Sequence, residues 1–264
     1  MGLDAHIQSY LRGAASRARE VEKIGPFLAT FSPHDDNPYI NYAIPDDGAQ
    51  PSSGDVAALV EAYRRHKRIP RLEYLPGLAP NVEAALLAGG FVVEGRPPLM
   101  VYEPGSEQEV PVPAGIELIV PATDDDLWAM LAAQNEAYGG SAPTGEQVES
   151  QRAFLAAGGL AILAREAATG EPAGGGACTV PANSTTELAA VGVREKFRRR
   201  GIAAAMTARL VRAALAAGVT TVFLMAAGEE EARIYARVGF SQVEEVLHIS
   251  LPGQFNQAPG GTNE

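Results

Sequence analysis

Cysteine is almost missing from this chain: one residue, Cys178, in 264. That excludes an intramolecular disulfide and any cysteine cage for a metal. Histidine is scarce as well, with four scattered residues and no His-x-x-x-His pair, which argues against zinc. No apolar run approaches the ~20 residues needed to cross a bilayer. The first residues, Met-Gly-Leu-Asp-Ala-His-Ile, lack the basic stretch and apolar core of a secretory signal. Positive charge is in deficit, 21 Lys and Arg against 32 Asp and Glu, so a net charge of −11 repels nucleic acid and anionic membranes. The expectation is a cytoplasmic, metal-free protein that binds neither. Apolar residues at 46% and charged residues at 20% give an ordinary globular balance, and the length suits one large domain or two of usual size.

Proline and glycine concentrate at 104–115, Pro-Gly-Ser-Glu-Gln-Glu-Val-Pro-Val-Pro-Ala-Gly, which reads as a linker. It predicts two domains, 1–106 and 107–264. In the second, strands are expected at Ile116–Val120, Leu160–Arg165, Gly176–Val180, Glu187–Val193 and Thr221–Ala226, with an extended Val243–Leu251. Helices are expected at Asp124–Tyr138, Gly145–Ala157 and Glu229–Val238. Ile202, Met206, Leu210 and Ala214 recur at helical spacing, with Gly218 as the stop. The first half repeats part of this order. Residues 80–91 and 229–240 both close a helix with Gly-Phe, and Gly90 and Gly239 lie 149 positions apart. At that offset a helix at Asp55–His66 overlays Ala204–Leu215, and Leu72–Leu75 overlays Thr221–Leu224. This reads as two copies of one α+β domain type.

The copies differ at one turn. Between Val193 and Ile202 the chain carries Arg198, Arg199, Arg200 and Gly201 just before a helix. Cations at a helix start are opposed by the macrodipole, at roughly 0.3–1 kcal/mol each when exposed. An anion resting on the free N–H groups of the first turn reverses that sign. A multiply charged phosphate group is the ligand this predicts, with the backbone from Arg199 through Gly201, Ile202, Ala203 and Ala204 as cradle. In the first copy the same turn falls on Ala49, Gln50 and Pro51, just after Asp46 and Asp47, so acid stands where the other copy has base.

Arg198-x-x-Gly201-x-Ala203 after a strand, followed by Tyr235 four residues before Gly239-Phe240, resembles the GNAT family of acyl-CoA-dependent N-acyltransferases over roughly residues 116–250. The resemblance implies a mixed, mostly antiparallel twisted sheet flanked by helices in each copy, with the first copy degenerate and without a cofactor loop. It implies that the Arg198–Ala204 loop takes the diphosphate of acetyl-CoA. Val191-Gly192-Val193 would hold a bulge that splays two strands so that backbone groups pair with the pantetheine amides, and the Val193 N–H would stabilise the oxyanion. Tyr235 matches the family's general acid; a packing tyrosine beside Ile234 and Val238 is the plainer account. Its counterpart in the first copy, Leu86, cannot donate a proton. Glu187 is either the general base, directly or through water, or a solvated strand-end carboxylate. Where many members carry Asn at the start of the tyrosine helix, this chain has Gly228 and Glu229.

Other features have simpler readings. Glu195 is expected to pair with Arg198 or Arg200. Asn135, Glu136 and Tyr138 line the acceptor pocket in the family, or are solvated helix-end residues. Asp124–Asp126 caps a helix, Gly174–Gly176 makes a flexible hairpin, and Cys178 packs in a strand. The function predicted is acetyl transfer from acetyl-CoA to a primary amine of a small-molecule or peptide acceptor by direct attack, in a monomer or homodimer. The alternative is an acyl-CoA sensor without turnover. A nucleic-acid patch at the arginines conflicts with the net charge and the lack of interleaved aromatics.

Overall fold

The computed structural model describes residues 2–105 and 109–252. In chain order it contains α1 (Leu3–Ala15), β1 (Glu20–Ile24), β2 (Phe27–Phe31), β3 (Ala43–Pro45), α2 (Ser53–Arg65), β4 (Arg71–Tyr74), α3 (Val82–Ala88), β5 (Val92–Gly95) and β6 (Pro98–Tyr102). It continues with β7 (Ile116–Ile119), α4 (Asp124–Ala137), α5 (Gly145–Ala156), β8 (Leu160–Glu166), β9 (Pro172–Cys178) and β10 (Thr185–Val193). The last elements are α6 (Ile202–Ala216), β11 (Thr221–Met225), α7 (Glu229–Ala236), β12 (Phe240–Glu245) and β13 (Leu247–Ser250). These elements form two units: one ends at Pro97 and resumes at Glu244, and the other runs from Pro98 to Val243.

The expected division at 106/107 falls outside the described residues. The described residues on either side of it, Pro98–Gly105 and Glu109–Gly115, belong to the second unit, and β6 already pairs with β11, Phe223 opposite Val101. Likewise β13 pairs with β4, Leu247 opposite Tyr74. The α+β class and the two mixed sheets with flanking helices stand as the fold. Strand order in the first unit is β1-β2-β3-β4-β13-β5, and in the second β12-β6-β11-β10-β9-β8-β7.

In the first unit β3 and β4 are parallel through Ala43 and Leu72, and α2 connects them. The Ser52 hydroxyl accepts from the Asp55 N–H at 3.2 Å while the Asp55 carboxylate accepts from the Ser52 N–H at 2.8 Å, a closed capping box. Phe27, Phe31, Leu59, Tyr63, Leu72 and Leu86 are buried in its core.

In the second unit both faces of the sheet are covered, so β8 reads as a continuous apolar run. Ile162 and Ala164 join the core around Met206, Leu210 and Phe240, while Ala161 and Leu163 pack with Met130 on the other face. The three glycines of β9 make this possible. A Cβ on Gly175 would lie 2.7 Å from Met130 Cγ, and one on Gly176 would lie 3.2 Å from Leu210 Cδ1. Gly174–Gly176 is thus strand interior pressed between α4 and α6, not a flexible hairpin. Helices α4 and α5 start at Thr123 and Thr144, each with a capping box, so Asp126 closes a cap whose hydroxyl belongs to Thr123.

Candidate active site

The site is built where β10 changes partners. Its first residues, Thr185–Glu187, pair in parallel with Thr221–Phe223 of β11. Beyond Glu187 the recorded pairing is with β9 alone, and the register shifts between Ala189 and Gly192, with Ala190 at φ +54°. The expected bulge is present and centres on Ala190–Val191. Gly192 has a different reason: a Cβ there would come within 3.0 Å of Ala137 Cβ and 3.3 Å of Tyr138 Cε2, so the end of α4 lies against it. Glu187 does not begin the strand. It is the third residue of β10, at the last pair before β10 and β11 part. Its charge, after burial, helps push the buried Cys178 thiol up to about 12, so Cys178 is an inert packed thiol at neutral pH.

A short arginine turn leads from β10 to α6. Arg199 holds a left-handed φ of +60° and Gly201 one of +81°. At Gly201 the nearest atom to an added Cβ is Pro113 Cγ at 3.8 Å, so backbone conformation rather than crowding demands glycine. Gly201 is also the N-cap, without a side chain to cap with, and the first helical bond runs from Ala205 N–H to Gly201 O at 3.1 Å. The amides of Ile202, Ala203 and Ala204 have no acceptor within the helix. This is the chemistry of an anion cradle.

The arginine side chains divide. Arg198, though exposed, lies along the backbone, its Nε donating to Val193 O at 3.1 Å and its Nη2 to Ala137 O at 3.2 Å, so it ties β10 to the end of α4. Arg200 lies over the Phe197 ring at 5.4 Å and, like Arg199, is exposed. Glu195 forms no ion pair with Arg198 or Arg200 among the described residues. The charges nearby are matched otherwise: Arg194 pairs with Glu136 at 2.7 Å and Glu171 at 2.9 Å, and Lys196 also bonds Glu171.

Tyr235 is half-buried against the second unit's core, its ring edge-on to Phe240 at 6.1 Å. Burial first, then Tyr138 and Glu231, push its phenol up to about 12, so it keeps its proton at neutral pH. Sequence reasoning left Tyr138 and its neighbours open, and they are engaged rather than merely solvated. The Asn135 amide donates to Ser141 O at 2.9 Å, Glu136 pairs with Arg194, and the Tyr138 hydroxyl donates to Val191 O at 3.1 Å. Most of Tyr138 meets solvent, but its hydroxyl end is drawn in, and its pKa is raised by burial first and Glu231 second. Gln134, which sequence reasoning missed, donates from Nε2 to Ala190 O at 2.8 Å and holds the bulge. Its one sequence signal is a position four residues before Tyr138, on the same helix face. Among the described residues no cluster of three His, Cys, Asp or Glu is arranged to hold a metal, and no helix is long and apolar enough to cross a membrane.

Residues 127–240 match the model of the acetyltransferase (GNAT) family, a span that takes in β10, the arginine turn, α6 and Tyr235. A structure described as a GCN5-related N-acetyltransferase from Kribbella flavida is 27% identical, with 96% of this chain and 97% of that chain covered at a TM-score of 0.80. A GCN5-related N-acetyltransferase from Sphaerobacter thermophilus is similar at 19% identity, covering 86% and 81%, TM-score 0.63. A tandem GNAT protein from the clavulanic acid biosynthesis pathway is similar at 16%, covering 89% and 83%, TM-score 0.63. The last two speak to the fold alone. No curated protein matches the sequence. The chain is thus similar to GNAT acetyltransferases over 127–240 by the family model and over nearly its whole length by the Kribbella flavida structure.

Proposed function

We propose that this chain transfers an acetyl group from acetyl-CoA to a primary amine by direct attack, with no covalent enzyme intermediate. One observation carries the reading: an uncapped helix start with left-handed Arg199 and Gly201 follows directly on a strand that has parted from its parallel neighbour. The amides of Ile202, Ala203 and Ala204, with Arg199 and Arg200 beside them, suit a diphosphate. The backbone of Val191, Gly192 and Val193 suits an extended amide-bearing arm laid along β10 as an added strand. Arg198 serves the site through the backbone it braces. Acetyl-CoA, when bound, supplies an acyl group activated as a thioester.

The chain's own groups then have separate tasks. The Val193 N–H holds charge developing on the acyl oxygen. Tyr235, protonated at neutral pH, gives a proton to the leaving sulfur. Glu187, where β10 and β11 part, takes the proton of the attacking amine, directly or through water. The first unit serves as a degenerate copy of the second, a reading supported by α2 and α6, β4 and β11, and α3 and α7 recurring in one order. Leu86 is fully buried where the second unit has Tyr235. The acceptor is a small-molecule or peptide amine, in a monomer or homodimer in the cytoplasm. Titration calorimetry with acetyl-CoA, beside a thiol-release assay over a panel of amines, tests the proposal. Coenzyme release that depends on an amine is expected; binding without release from any amine would make the chain a sensor.

A further inference from the structure

Strand alternation decides which backbone groups of β10 face the gap left by β11. Arg194 N–H bonds Ala173 O at 3.0 Å, and Gly192 sits opposite Gly175, so Arg194 and Gly192 turn toward β9. Val193 therefore aims its N–H and C=O groups the other way, into the gap, and the Val191 C=O, opposed to the Gly192 N–H across their trans peptide, points there too. Neither carbonyl is without a donor. Arg198 occupies Val193 O, and Tyr138 occupies Val191 O.

The two occupants, and Gln134 on the neighbouring Ala190 O, differ in how firmly they are held. Gln134 is only 7% exposed, and Arg198 spans two carbonyls on two elements. Tyr138 is 64% exposed and its side chain makes one hydrogen bond among the described residues. It is the C-cap of α4, followed by Gly139 at φ +74° and by Gly140. Its ring can leave without uncovering a core, and an arriving N–H would replace its O–H donor for donor. We propose that Tyr138 is a removable plug of the coenzyme slot. Its hydroxyl caps the Val191 carbonyl and yields to an amide N–H of an incoming acyl-CoA. This rests on the coenzyme reading above and adds a positioning residue outside the arginine loop and the tyrosine helix. Coenzyme affinity is thereby lowered by one intramolecular hydrogen bond that binding must break.

Tyr138→Phe keeps the ring and removes the donor. Calorimetry with coenzyme A should show binding tightened about two- to tenfold over wild type, the worth of one net hydrogen bond. With tyrosine labelled at Cζ, the resonance missing from Tyr138→Phe should shift in the wild-type protein as coenzyme A is added. Equal or weaker binding by Tyr138→Phe, or a Tyr138 resonance unmoved at saturation, overturns the plug. If neither protein binds coenzyme A, the coenzyme reading itself falls, and the plug with it.

Discussion

Helices α2 and α6 each follow a strand and lead back into a parallel neighbour, yet they begin in opposite ways. At α2 the start is sealed: Ser52 and Asp55 close a capping box. The acids just before it are spent inside the first unit, Asp46 on Lys23 at 2.6 Å and Asp47 on Arg12 at 2.6 Å and Gln8 at 2.8 Å. At α6 the cap is a glycine that cannot seal anything, and exposed arginines replace the acids. One helix start is closed by its own side chains; the other leaves the amides of Ile202, Ala203 and Ala204 without an intrahelical acceptor. Two helices of similar length and like topology thus acquire different chemistry from a handful of residues upstream.

The strongest way to break the contrast is to spoil the α6 start. Gly201→Val puts a β-branched residue at φ +81°, a conformation that costs an ordinary residue roughly 1–2 kcal/mol. A loss of coenzyme affinity by about a hundredfold or more is expected from the displaced cradle, with circular dichroism still reporting a folded chain. Next, Tyr235→Phe should cut kcat by about a hundredfold, within the range for a lost general acid, and leave the coenzyme Kd nearly unchanged. Because Tyr235 is pushed up to about 12, it stays protonated well above neutrality and adds no alkaline falling limb to kcat between about pH 6 and 9.

Smaller effects sharpen the comparison. Gly175→Ala forces a methyl against Met130 and Gln134 and should cost roughly 1–3 kcal/mol in urea unfolding, as overpacking does. Ser52→Ala removes the α2 cap and should cost about 1 kcal/mol while leaving coenzyme affinity at the wild-type value. Binding gained or lost in that variant would contradict a silent α2 start. The least effect concerns pH. Cys178 is held near 12 in the folded state against 9.0 for an ordinary thiol. The folded chain keeps that proton while the unfolded chain loses it, so stability falls as pH rises from about 9 toward 12. Thermal melts of Cys178→Ala should lose that part of the slope.

What was legible in the sequence was local. Gly201 and its arginines, the 3.6-residue period of α6 and the turn at Gly239 are all written in neighbouring residues, and each lies where it was expected; the bulge of β10 is present but falls earlier, at Ala190–Val191 rather than Val191–Val193. What was not legible depends on distant pairing. The prolines at 104–115 looked like a boundary because nothing in Pro98–Tyr102 reveals that it inserts between β11 and β12. Nor does Leu247–Ser250 announce its place between β4 and β5. The three glycines of β9 read as flexible because the helices that compress them lie dozens of residues away. Tyr138 itself was singled out, but its bond was hidden for the same reason. Its partner, the Val191 carbonyl, belongs to the backbone, which leaves no mark in residue type.

A crystal structure with acetyl-CoA tests the central claim most directly. The account predicts diphosphate density against the amides of Gly201–Ala204, with the acyl arm along Val191–Val193. Density at the Ser52–Asp55 helix start instead, or an α6 start bare at saturating ligand, would contradict it.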